Sequence, residues 1–139
     1  MKICATSTEN ENVKGFKTIT VIVKYKDVTD VVITSCPDQN QLTFVQGIGG
    51  TTMTHCKAQV NPYPSANQEV TWSISSGIVN GITIDQDGYI KVDSSVIQND
   101  YNISVRATSV ADKTKYAEQS LIVKVIYSDI ASVTVNGST

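Results

Sequence analysis

The sequence predicts an all-β protein, an antiparallel sandwich of about seven short strands. Three observations carry this. Apolar and polar residues alternate at period two along most of the chain, and no stretch has the 3.6-residue period of a helix. Thr, Ser, Val, Ile and Asn are plentiful while Leu and Ala are few, which is the composition of strands and turns. Turn signals interrupt the alternation at spacings of roughly 8–15 residues, as in small sandwiches.

The strands follow in order. Val31 and Ile33 open the first, and Leu42 and Phe44 continue it after the break at Cys36, Pro37 and Asp38. Gly47 to Gly50 reads as a turn. On the second strand Thr54, Cys56, Ala58 and Val60 share one face, with His55, Lys57 and Gln59 on the other. Asn61-Pro62-Tyr63-Pro64-Ser65 is a loop, because two prolines two apart cannot serve a central ladder. Val70, Trp72 and Ile74 form the inner row of the third strand. A lone Trp there fills the centre of a small sandwich, burying about 150–250 Å².

Ile82 and Ile84 lead into the tight turn Asp85-Gln86-Asp87-Gly88, and Ile90 and Val92 return from it. Tyr101, Ile103, Val105 and Ala107 make the next strand, and Leu121, Val123, Val125 and Tyr127 the last. The expected core is thus Trp72, Val70, Ile74, Cys56, Val105 and Val123.

The chain also repeats itself. Ile3-Cys4-Ala5-Thr6-Ser7 returns as Val105-Arg106-Ala107-Thr108-Ser109, and Val21, Val23 and Tyr25 return as Val123, Val125 and Tyr127. One offset serves throughout, since 107 − 5 = 102 and 127 − 25 = 102. Val31 and Ile33 match Val133 and Val135 at the same distance. Such an offset is a whole domain, larger than a solenoid rung of roughly 20–50 residues. The expected organisation is three pieces of a tandem array. Residues 1–26 are the last strands of one unit, 27–127 a complete unit, and 128–139 the first strand of another. Asp27 to Asp30 and Ser128 to Ser132 are short junctions without a Gly/Ser tract, so the array is a semi-rigid rod. Tyr25 and Tyr127, at equivalent positions, are expected to seal the junctions.

These residues resemble the bacterial immunoglobulin-like domain, group 2, the module of invasin- and intimin-type surface proteins and of phage structural proteins. The resemblance rests on Val60-Asn61-Pro62, Val70-Thr71-Trp72-Ser73, Ile84-Asp85-Gln86-Asp87-Gly88-Tyr89-Ile90 and Ile103-Ser104-Val105-Arg106-Ala107-Thr108. It covers about Val28 to Tyr127 and departs from the family over Ser94 to Asn102, where a short Gly-containing link is usual. It implies an immunoglobulin-like sandwich in a structural or display protein on a bacterial cell surface or a virion. Such a module acts as a spacer or in cell adhesion, with neighbouring repeats as partners and a host-cell or glycan receptor as a further partner.

Composition excludes several classes. The net charge of −2, from 11 basic and 13 acidic residues without a run of one sign, gives no footprint for nucleic acid. No apolar run approaches the ~18 residues of a membrane helix, so no membrane insertion is expected. Met1-Lys2-Ile3 is followed by polar Thr6 to Asn12 where a signal peptide has its apolar stretch, so export is expected to be directed from elsewhere.

Cys4 aligns with Arg106 and is expected to point outward. Cys56 alternates with Ala58 and Val60 and is expected to be a buried free thiol, behaving as a small apolar residue. A Cys36–Cys56 bridge is the alternative, and spacing alone does not decide it.

Candidates for chemistry are few. Asp85 and Asp87 look like the start of a calcium loop, but position twelve of an EF-hand count is Val96, which cannot ligate. The competing reading is a hairpin turn in which Gly88 takes a positive φ and Asp85 bonds its own backbone. His55 has no nucleophile or acid placed by a motif, and Gly47-Ile48-Gly49-Gly50 lacks the Lys-Ser/Thr of a phosphate loop. Tyr63, Tyr89 and Tyr101 are the aromatic candidates for a binding surface. No enzyme and no cofactor is expected. The alternative function is a carbohydrate- or calcium-dependent binding module.

Overall fold

In a computed structural model of the chain, residues 1–37, 40–46, 49–51, 55–128 and 134–137 are described. Asp38, Gly47, Ile48, Thr54, the junction residues 129–132 and Val133 lie outside them.

Among the described residues eleven strands follow one another. β1 (Lys2–Thr6) and β2 (Lys14–Thr18) form a separate two-stranded hairpin. β3 (Asp30–Ser35), β4 (Gln41–Val45), β5 (Gly50–Thr51), β6 (Lys57–Asn61), β7 (Val70–Ser76), β8 (Ile82–Ile84), β9 (Ile90–Val92), β10 (Asn99–Ser109) and β11 (Tyr116–Ile126) build the sandwich. One layer is the four-stranded sheet β4-β11-β10-β7. The other holds two ladders, β3-β6 and β5-β9-β8. They meet where the Cys56 N–H donates to the Gly88 carbonyl at 2.9 Å. The two layers form the expected immunoglobulin-like β-sandwich, with nine strands among the described residues in place of about seven.

The inner faces follow from period two. Along β10 the buried residues are Ile103, Val105, Ala107 and Ser109, and along β11 they are Leu121, Val123 and Val125. Trp72, 6% exposed, packs in one apolar cluster with Cys56, Val60, Val105 and Val123, and half-buried Val70 and Ile74 lie against it. Burial of such side chains, at about 1.5–3 kcal/mol each, is the main stabilising term.

Two expectations need correction. The first strand does not run on as one element. β3 pairs antiparallel with β6, whereas β4 crosses to the other layer and pairs parallel with β11, Leu42 opposite Val123. Cys36 and Pro37 lie just past the end of β3, and a proline cannot donate to a ladder, so pairing stops and the chain changes sheets there. The second correction concerns the thiols. Cys56 is buried but not free: a disulfide joins it to Cys36, with the Cα atoms 4.2 Å apart. The β3–β6 ladder brings them together, since Ser35 is paired with Lys57, the neighbours of the two cysteines. Cys4 is a free, exposed thiol.

Asp93 to Gln98 crosses between layers and buries Val96. Tyr101, near the start of β10, donates its hydroxyl to the Ile97 carbonyl at 3.0 Å. That is the tyrosine corner of immunoglobulin-type sandwiches, which fixes the approach to this strand.

Candidate functional site

The turn Asp85–Gly88 is a closed hairpin connection. Asp85 Oδ1 accepts from the Asp87 and Tyr89 N–H groups at 3.0 Å each, and Oδ2 meets Lys91 Nζ at 3.1 Å. Gly88 has φ 86°, and a Cβ there would run into the Cys56 carbonyl oxygen, so only glycine fits. The Tyr89 N–H, and then Lys91 and the Asp87 N–H, hold the Asp85 carboxyl below its ordinary pKa. Both carboxylate oxygens are thereby engaged within the turn. Among the described residues no group of three His, Cys, Asp or Glu side chains could hold a metal ion.

The three aromatic candidates sit on different elements. Tyr63 is exposed in the loop after β6, Tyr89 stacks on His55 with ring centroids 4.7 Å apart, and Tyr101 makes the corner at β10. A groove of about 400 Å³ lies on the four-stranded sheet, lined by Asn40, Ser76, Asn102, Ser104, Ser120 and Ile122 among others. It offers hydroxyls and amides but no acid, base or aromatic among its lining residues, so its chemistry is limited to hydrogen bonding.

Sequence reasoning missed two glutamines. Gln86 Oε1 accepts from the Trp72 N–H and Nε2 donates to the Trp72 carbonyl, both at 3.3 Å. Gln68 does the same to Val60, accepting at 3.0 Å and donating at 2.7 Å. Each side-chain amide pairs like one residue of an added strand. Nothing local marks these glutamines, because their partners lie on other strands.

At the entry to the sandwich the Lys26 N–H donates to the Ser65 carbonyl at 2.9 Å, and Lys26 bridges Ala66 in parallel. The Thr29 N–H donates to Asn61 at 2.9 Å. The loop after β6 therefore grips the segment that precedes the sandwich. Tyr25 borders this loop and is largely exposed, as is Tyr127.

The hairpin β1–β2 repeats β10–β11 register for register. Lys2 opposes Thr18 as Ser104 opposes Ser120, Cys4 opposes Phe16 as Arg106 opposes Glu118, and Thr6 opposes Lys14 as Thr108 opposes Tyr116. The connections match too. Ser7 N–H donates to Val13 at 2.9 Å, and Ser109 N–H to Lys115 at 3.0 Å. Asn10 and Asp112 N–H each donate to the preceding serine Oγ, at 3.3 and 3.2 Å. Asn12 and Thr114 N–H each donate to the side chain two residues back at 3.0 Å.

No family model matches the chain, and no curated protein matches it. Among solved structures, it is similar to one described as a protocadherin gammaB7 EC3-6 cis-dimer. The TM-score is 0.55 at 18% identity, covering 90% of this chain and 31% of the other. Two Bacteroides fragilis NCTC 9343 proteins described as alpha-galactosidases, one also as a melibiase, match with TM-scores of 0.47. Their identities are 12% and 13%, covering 74% and 77% of this chain but 18% and 19% of theirs. The chain thus spans between about a fifth and a third of the structures it matches, and the likeness to the protocadherin fragment establishes an immunoglobulin-like β-sandwich.

Proposed function

We propose that this chain is a non-catalytic structural and display module of a tandem-repeat protein on a bacterial cell surface or a virion. It serves as a semi-rigid spacer that positions whatever the array carries. Its units divide at residues 1–26, 27–127 and 128–139, with neighbouring repeats as the partners. The observation that carries this reading is the register identity of β1–β2 with β10–β11 at an offset of 102 residues. The grip of Ser65 and Ala66 on Lys26 supports semi-rigidity, because it ties the connecting segment to the following sandwich. The Cys36–Cys56 disulfide supports an extracellular setting, where such bonds persist.

Small-angle scattering on a chain carrying two complete units tests the spacer. A single narrow inter-unit distance, preserved between low and high salt, is expected. A spread as broad as that of a flexible linker would overturn it. A glycan array probed with the same chain separates the spacer from an adhesin: the spacer binds nothing.

A further inference from the structure

Among the described residues, the apolar face of the β1–β2 hairpin and its continuation is largely exposed. In β10–β11 the inner row is Val105, Ala107, Ser109, Leu121, Val123 and Val125, and all six are buried. The hairpin and its continuation carry Ile3, Ala5, Ser7, Ile19, Val21 and Val23 at the equivalent positions. Four of the six are identical, and the other two exchange one aliphatic residue for another of similar size. The outer row is kept less well: Ser104, Arg106, Tyr116, Glu118 and Lys124 correspond to Lys2, Cys4, Lys14, Phe16 and Ile22, while Thr108 corresponds to Thr6 and Ser120 to Thr18. Yet Val21 is 57% exposed and Val23 75%, against 0% for Val123 and 2% for Val125. A face that retains core residues without a core is built to be covered.

The occupant is defined by what covers the matching face within this chain. β10 is flanked by β7, β11 is flanked by β4, and β3 in the opposite layer contacts both. Among the described residues β1 and β2 pair only with each other, so the equivalent edges stand open. A second copy of this chain cannot supply the cover without giving up its own β10–β11. From this we infer that the segment Met1–Tyr25 docks as the closing hairpin of another sandwich of the same kind. That partner presents the equivalents of β3 to β9, with the edges of its β7 and β4 unpaired. The inference rests on the tandem-module reading and names the surface by which one unit is completed.

The test keeps the full chain and places a second copy of residues 27–102 directly before Met1, so that Met1 falls where Ile103 would. Amide exchange at Ile19, Val21 and Val23 should slow by about a hundredfold or more relative to the unextended chain. Both tryptophans should emit as buried indoles. Val21→Lys with Val23→Lys should abolish the new protection and leave the melting of the 27–127 unit unchanged. Exchange that stays fast in the extended chain, or an added copy that stays unfolded, would overturn the docking. Protection in the unextended chain that grows with protein concentration would assign the face to a second copy and overturn it equally. In each such case the assignment of residues 1–26 to a neighbouring unit falls with the docking, while an unchanged 27–127 transition leaves that unit standing as a module, which the scattering and array measurements test separately.

Discussion

Gln86 holds the main chain of Trp72 at both its polar groups, accepting from the N–H and donating to the C=O at 3.3 Å each. β7 is the last strand of its sheet, so these groups face away from β10 and would otherwise lack a partner strand. An open edge is a template for pairing with another chain. The side chain from the β8–β9 turn thus both ties the two layers and blunts an edge.

Gln86→Ala should destabilise the sandwich by about 1–2 kcal/mol, because two partly buried bonds are lost and backbone groups are left unpaired. Urea denaturation measures it. A change below a few tenths would mean that water replaces the amide without cost. Gln86→Glu keeps one acceptor and loses the donor, so its cost should be of similar size.

Reduction should destabilise the protein strongly. The disulfide closes a loop across a sequence separation of 20 residues. Loop-closure entropy then sets its contribution at roughly 3 kcal/mol. A strong reductant, or Cys36→Ser with Cys56→Ala, should lower the melting temperature by about ten degrees or more. A shift of one or two degrees would show that the bridge contributes little.

Tyr101→Phe removes the bond to Ile97 while keeping the ring. The expected loss is about 1 kcal/mol, with the Ile97 carbonyl left to water. Exchange should rise most in the Asp93–Gln98 crossing. An equal rise across all strands would instead indicate a purely global effect.

Acid should weaken the fold. Asp85 is held below its ordinary pKa by the Tyr89 N–H, Asp93 by Ser95, Asp112 by Thr114, and Glu118 by the Ser75 hydroxyl and then Arg106. A carboxylate whose folded pKa is depressed stabilises fully above its unfolded value, and loses that contribution as pH falls through the folded one. Stability should therefore hold from neutral pH to about 5 and decline below about 4. Asp85→Asn should make the acid decline shallower. An unchanged acid limb in that variant would remove the turn from the explanation.

Trp72→Ala should cost about 3–5 kcal/mol, a large share of the stability of a domain this size. Native emission should be that of a buried indole, and a water-exposed spectrum would contradict its place in the core.

Period two in the sequence was enough to place the inner rows of β7, β10 and β11, since alternation is a local property of an extended chain. It also located the Asp85–Gly88 hairpin, whose backbone bonds lie within five residues. Partner choice was not legible. Leu42 and Phe44 alternate in the same way whether they continue β3 or join β11, and only the far end of the chain, at Val123 and Val125, decides. Cys36 and Cys56 lie 20 residues apart, and only the pairing of β3 with β6 brings them within bonding reach. The same holds for Gln68 and Gln86. Their partners, Val60 and Trp72, are fixed by how two layers stack, a relation between distant segments that no local pattern encodes.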